Sequence, residues 1–308
     1  MRNALSGRWR GIAAALFSAV MLGWAPILAK LAYQAGADPT AVVILRTGLA
    51  SLTLWVLYLI YPPWRRYLYI YPVGLLGCLA VGFTNAVGSV FYYLGLYRLD
   101  AAVAHLIYSM YPILVALMIR LNGEPIPTLT GLRMLLASVG LIFLLGRFHG
   151  APDLFGVLLM LLSSGLYALH VVLSQRVLYE MPAQTLALYG LTAMAAFTPV
   201  AGWVLGNPRP PVPSDSLGPI FTMAVVLVFS RLGMFIGVKH LGGAQAALLT
   251  LAEILVTVSL AVGWLGERLT WIQWAGALLM VTSVILVIWE SPRARAPRWR
   301  MPLLPPAD

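Results

Sequence analysis

The sequence predicts an all-α integral membrane protein, with ten transmembrane helices arranged as two inverted five-helix repeats. Three observations carry that reading. Of 308 residues, 61% are hydrophobic and only 10% charged, with a mean hydropathy of +0.88, whereas a soluble domain carries about 25% charged residues. The apolar residues fall into ten stretches, each near the roughly 20 residues that a helix needs to cross a bilayer. Finally, the chain writes one stretch twice. Leu99–Thr130 reads LDAAVAHLIYSMYPILVALMIRLNGEPIPTLT, and Leu241–Thr270 reads LGGAQAALLTLAEILVTVSLAVGWLGERLT. Each copy has an Ala-rich opening, an apolar helix, a Gly-Glu close (Gly123-Glu124 and Gly266-Glu267) and a further apolar helix behind it. Such self-similarity marks a duplicated unit, and a unit with an odd number of crossings puts its second copy upside down.

The predicted spans, helices one to ten, are 11–32, 40–60, 70–96, 101–121, 129–146, 154–177, 183–205, 217–238, 243–265 and 271–289. Helix one follows Arg2, Arg8 and Arg10. Its apolar run is too long for a signal-peptide core and is interrupted by Trp24, Pro26 and Lys30, so it reads as retained. Asp38-Pro39 opens helix two, Pro62-Pro63 closes it, and Gly123-Glu-Pro125 separates four from five. Gly150-Ala-Pro152 divides the halves, Met181-Pro182 opens helix seven, and Asn207-Pro-Arg-Pro-Pro211 precedes eight. Helix ten opens on a capping box, Thr270 with Gln273. Its Trp271 and Trp289 stand about 27 Å apart along a helix, one for each interfacial belt.

The repeats are 11–146 and 153–289, followed by a basic tail over 290–308 expected at the cytoplasmic membrane surface. Gly11–Lys30 aligns with Gly156–Gln175, putting Ser18 over Ser163, and Gly95 falls over Gly237. With the N-terminus cytoplasmic, twelve Arg and Lys residues gather inside and four outside (Arg98, Arg147, Arg209, Arg268), so both termini are expected in the cytoplasm. The formal charge of +10 therefore speaks of membrane orientation and gives no reason to expect a nucleic-acid partner. Cys78 is the sole cysteine, so the chain can form no internal disulfide and no cysteine-built zinc site. No metal or cofactor is expected.

An ionisable group inside lipid is costly and is a functional candidate by default. Glu253, ten residues into helix nine, sits near the midplane at about 15 Å depth; it is either a proton-coupling group or a structural partner for a buried arginine. Arg231 on helix eight can pair with Glu253 or clamp a substrate carboxylate. Arg46 reads as structural, Lys30 as snorkelling from the end of helix one. His105 and His170 can shuttle protons or pack. Trp24, Asn85, Tyr92, Tyr108 and Tyr167 can line a polar-aromatic cavity, with Trp24, Tyr108, His170, Arg231 and Glu253 chosen as substrate contacts. Pro26 and Pro112 are expected to kink their helices and act as hinges. Gly233-x-x-x-Gly237 on helix eight and Gly82 with Ala86 on helix three are expected to bring helices together inside the bundle.

GWAPILAK in helix one, Ile44-Leu45-Arg46, FYYLGLYRLDAA from Phe91, Tyr111-Pro112 followed by NGE, and LAEI followed by LGERLT together resemble the drug/metabolite transporter superfamily, specifically its ten-helix EamA-type exporters. The resemblance spans about residues 11–289. It departs at Ile254, where members commonly carry Pro, and at Tyr189, which falls where the first half has Arg46. It implies two inverted repeats moving a small metabolite by alternating access. The expected function is thus secondary active export across the bacterial inner membrane. An amino acid or related carboxylate is the expected substrate, because Arg46 and Arg231 outnumber Glu253, and protons are the expected coupling ion. The alternative is efflux of cationic drugs; an integral membrane enzyme would need nucleophile, base or metal ligands converging in one plane. Monomer and homodimer both stay open.

Overall fold

A computed structural model describes residues 2–99, 104, 107–121, 123, 127–144, 153–205, 212–256, 259 and 271–286. These residues are helical almost throughout, with no strand among them. Six helices are long and apolar enough to cross a membrane, and four shorter apolar ones, Tyr111–Leu121, Thr128–Gly140, Gly243–Val256 and Trp274–Ser283, fall on the remaining predicted spans. The protein is a multi-pass membrane protein. His105, Glu124, Gly266, Glu267, Thr270, Trp289 and the basic tail lie outside the described residues.

The duplication is visible in the packing. Helix one lies along eight, and its mate six lies along three; two meets eight as seven meets three; nine meets one as four meets six. Helices five and ten, two and seven, and four and nine pair with their own mates. Exchanging the halves leaves these pairings unchanged, a pseudo-two-fold in which each half's first helix is seated in the other half.

The equivalence reaches single atoms. Ser18 Oγ donates to Ser230 O at 2.8 Å, and Ser163 Oγ donates to Gly88 O at 2.8 Å. Gly11 closes on His240 and Leu241, while Gly156 closes on Arg98 and Leu99; Gly237 abuts Ala15, and Gly95 abuts Met160. These are the same contacts made twice. Small residues sit there because the backbones approach too closely for side chains, and the Gly233 and Gly82 pairs serve contacts within the bundle. A Cβ on Gly82 would stand 2.4 Å from Ala193 Cβ and 2.7 Å from Gly190 O. Gly82→Val is accordingly expected to destabilise the protein by about 1–3 kcal/mol or more; an unchanged melting temperature in detergent would show that helices three and seven do not meet so closely.

One basic residue departs from its reading in the sequence, and another drew none. Lys30 does not snorkel: its Nζ donates to Leu96 O at 3.1 Å and Leu99 O at 3.3 Å, capping the carbonyl end of helix three. Its repeat mate Gln175 accepts from Gly243 N at 2.6 Å, at the corresponding junction of helices eight and nine. Arg133, passed over within helix five, is wholly buried against helix ten. Arg133 Nε donates to Ser283 O at 3.0 Å, and Ser283 Oγ donates to Arg133 O at 2.9 Å, a reciprocal clamp between the mates five and ten.

Arg98 and Asp153 form an ion pair at 3.0 Å where the repeats join, and Asp153 caps helix six by accepting from the amides of Phe155 and Gly156. Arg98 first, then the Phe155 amide, hold the Asp153 carboxyl below its ordinary range. The stabilisation is therefore present above the ordinary carboxylate pKa and is lost as pH falls through the lowered one. Exposure keeps it small.

Candidate functional site

Among the described residues, three helices are interrupted. Helix one stops at Leu22 and restarts at Ala25, leaving Gly23-Trp24 as a turn. Helix four turns at Ser109-Met110 before the helix Tyr111–Leu121 begins. Helix nine turns at Leu251, with residues 252–256 helical beyond it. The two prolines do not kink continuous helices, as the sequence suggested. Pro26 and Pro112 each stand in the first turn of a new helix, where the missing N–H has no intrahelical acceptor to lose and the fixed φ suits a helix start. The break in helix nine has no proline and was invisible in the sequence.

The breaks face one another. A Cβ on Gly23 would lie 2.9 Å from Glu253 O and 2.7 Å from Val256, so glycine is what admits helix nine to the break in helix one. Tyr111 at the restart of helix four bonds through its hydroxyl to Thr250 Oγ1 and to Ala247 O at 3.3 Å, beside the break in helix nine. Between these breaks lies a cavity of about 60 Å³, room for a few water molecules. Helices one, two, three, four, six, eight and nine all line it, and among its wall residues are Arg46, Asn85, Tyr92, Tyr108, Tyr167, Arg231 and Glu253.

Arg231 is buried and held on two sides. Nη1 points at His170 Nε2 at 3.2 Å, and Nη2 donates to Asn85 Oδ1 at 3.0 Å. His170 Nδ1 lies 3.0 Å from Val81 O; a carbonyl only accepts, so Nδ1 carries the proton and Nε2 is the acceptor for Arg231. The guanidinium also lies over the Tyr167 ring at 5.6 Å. Arg231 Nε is buried with no hydrogen-bond partner among the described residues. Arg46, also buried, lies over the Tyr93 ring at 4.5 Å, and its Nε likewise has no hydrogen-bond partner among them. Tyr92, Tyr108 and Tyr167 continue the wall as ring contacts, 4.8 Å from Tyr92 to Tyr108 and 5.4 Å from Tyr108 to Tyr167. A site of this kind, with guanidinium groups, a carboxylate and aromatic faces between broken helices, can hold a small charged solute.

Compared with known proteins, residues 9–146 and 154–289 each match the EamA-like transporter family. The chain belongs to that family.

The two matched segments of this EamA-like transporter are the two repeats seen in its packing. The Bacillus subtilis (strain 168) protein YcbK, described as an uncharacterized transporter, is 28% identical over 268 residues, covering 80% of this chain and 82% of that one. A crystal structure of a protein at 20% identity superposes with a TM-score of 0.69 over 92% of this chain and 96% of that one, a likeness of fold.

Of the residues chosen from the sequence, the EamA-like transporter brings Tyr108, Arg231 and Glu253 to one cavity, together with Pro26. His170 stands behind Arg231 as its acceptor. Trp24 is not on the described wall; it is half-buried against the apolar cluster of Leu28, Val42 and Val90. Arg46, read from the sequence as structural, does line the cavity. Its burial beside an aromatic face depends on helices two and three meeting, which no local pattern announces. Pro112 borders a second cavity of about 400 Å³ between helices four, five and nine, whose described wall is apolar apart from the hydroxyls of Ser109 and Ser138.

Proposed function

We propose that this EamA-like transporter is a secondary active exporter of a small metabolite bearing a carboxylate, foremost an amino acid, working by alternating access across the bacterial inner membrane. One observation supports this above the others: Arg231 is fixed by His170 and Asn85, with no hydrogen-bond partner for its Nε–H among the described residues, in the same cavity as Glu253. A guanidinium held in place by neutral acceptors keeps its full charge for an incoming carboxylate, and a pre-positioned donor needs little reordering on binding. Glu253 then faces the solute's ammonium or exchanges a proton. Turns in helices one, four and nine let the walls of the cavity swing while the rest of each helix stays packed. Because the cavity holds only a few waters, an amino acid enters by displacing its walls.

A second reading, efflux of lipophilic cations, draws on the faces of Tyr92, Tyr108 and Tyr167 in the cavity that holds Glu253. Thermal unfolding of the purified protein separates the two, since a ligand that binds only the folded state raises the melting temperature. Amino acids and carboxylates are expected to stabilise it. Stabilisation by quaternary ammonium compounds alone would favour the second reading and overturn the first.

The inverted arrangement makes its own prediction. With Cys78 replaced, cysteines introduced at Gly123 and at Gly266 are expected to react with an impermeant reagent from opposite faces of the membrane. Labelling of both from outside would rule out inverted repeats with cytoplasmic termini.

A further inference from the structure

We propose that the solute is an anionic amino acid, carrying two carboxylates and one ammonium, and that Arg46 is the residue that selects it. This rests on the carboxylate-exporter reading above and narrows it. Among the described residues, the cavity wall contains two guanidinium groups, Arg46 and Arg231, and one carboxylate, Glu253; its other described polar members are neutral Ser, Thr, Asn and Tyr side chains. His170 behind it is neutral, because its Nε2 accepts from Arg231 and only its Nδ1 carries a proton. With Glu253 ionised, these described residues set two positive charges against one negative and leave one positive charge.

An unmatched buried charge is costly, and a bound solute is favoured when it supplies the missing counter-charge. A neutral amino acid satisfies one guanidinium and leaves the other exposed to an uncompensated interior. A dicarboxylate without an amine matches both arginines but sets its own charge against Glu253. A solute with two carboxylates and one ammonium matches all three. The geometry adds a second reason. Arg46 is 5% exposed and Arg231 6%, and each has an Nε–H buried without a partner among the described residues. Such donors are rare in folded proteins unless something else meets them. For Arg46, stacking on Tyr93 at 4.5 Å holds the plane of the guanidinium without using a hydrogen bond, which leaves its edge for a carboxylate oxygen. The small cavity, about 60 Å³, favours the shortest member of the class.

The test uses the full-length protein in liposomes, with exchange of radiolabelled solutes across the membrane. L-aspartate, L-asparagine and succinate are nearly isosteric and differ only in the groups at issue. Aspartate is expected to exchange with a KM about 10- to 100-fold below those of the other two, the value of a charged hydrogen bond lost in a buried site. Arg46→Gln is expected to bring the aspartate and asparagine KM values together, and Arg46→Lys, which restores the charge, to recover part of the difference. A purely structural Arg46 would lower folded yield and leave that ratio unchanged. Wild-type protein that moves asparagine as well as aspartate would overturn the anionic assignment yet leave the carboxylate exporter standing, as would Arg46→Gln with an unaltered ratio. Movement of a lipophilic cation with none of the three solutes would overturn both. Should Arg46→Gln fail to fold, the wild-type ratio decides the anionic assignment and Arg46→Lys decides the role of Arg46.

Discussion

Arg231→Gln is expected to lower carboxylate exchange by about 10- to 100-fold, the effect of removing one charged hydrogen bond from a buried site. The loss has two sources that must be separated. Direct loss comes from the guanidinium that faces the cavity. Indirect loss comes from His170 Nε2 and Asn85 Oδ1, which give up their donor when Arg231 is shortened and become buried acceptors without partners. Asn85→Asp distinguishes them. It keeps an acceptor at the same place and strengthens it to a charged one, so the helix three to helix eight contact survives. It also cancels the positive charge that the solute needs. Exchange is therefore expected to fall in Asn85→Asp although the melting temperature holds. Normal exchange in Asn85→Asp would make Arg231 a strut between helices and nothing more.

Glu253→Gln carries the second large effect. If Glu253 couples protons to transport, the amide stands in for the protonated state. A pH gradient should then no longer drive transport, while exchange of labelled for unlabelled solute survives at saturating concentration with a raised KM. If Glu253 instead serves Arg231 as a structural partner, the same change strands a buried cation and costs about 3–5 kcal/mol of stability, much of which returns when both charges are removed together. A double-mutant cycle on melting temperature, run beside liposome assays with and without the gradient, reads both quantities. Intact gradient-driven transport with no coupling to Arg231 would refute both roles.

Much of the site was legible because depth is a local property. Counting residues from a helix end placed Glu253 near the midplane, and Asn85, Tyr92, Tyr108, Tyr167 and Arg231 were each singled out as polar or aromatic groups within apolar spans; all line one cavity. The readings that shifted were those that depended on a neighbour. Lys30 looked free to reach the headgroups until helix three offered the carbonyls of Leu96 and Leu99. Trp24 shared a helix with the cavity residue Pro26 but turns to the apolar cluster beside it. Arg133 drew no reading from the sequence because its partner Ser283 lies 150 residues away.

By itself the sequence determined that the chain is dissolved in a membrane, that it crosses as a series of apolar helices, and that its two halves are copies. Those properties follow from composition, from the length of apolar runs and from repetition, all readable along one dimension. Only the tertiary structure decided that helices one, four and nine break toward one another, that the break in helix nine needs no proline, and that Arg231 is held by His170 and Asn85. Each of these depends on the rotation and register of helices packed far apart in the chain. A helix presents its side chains every 100° or so, so a small turn about its axis changes which groups meet, and the spacing of residues along the chain does not record that angle.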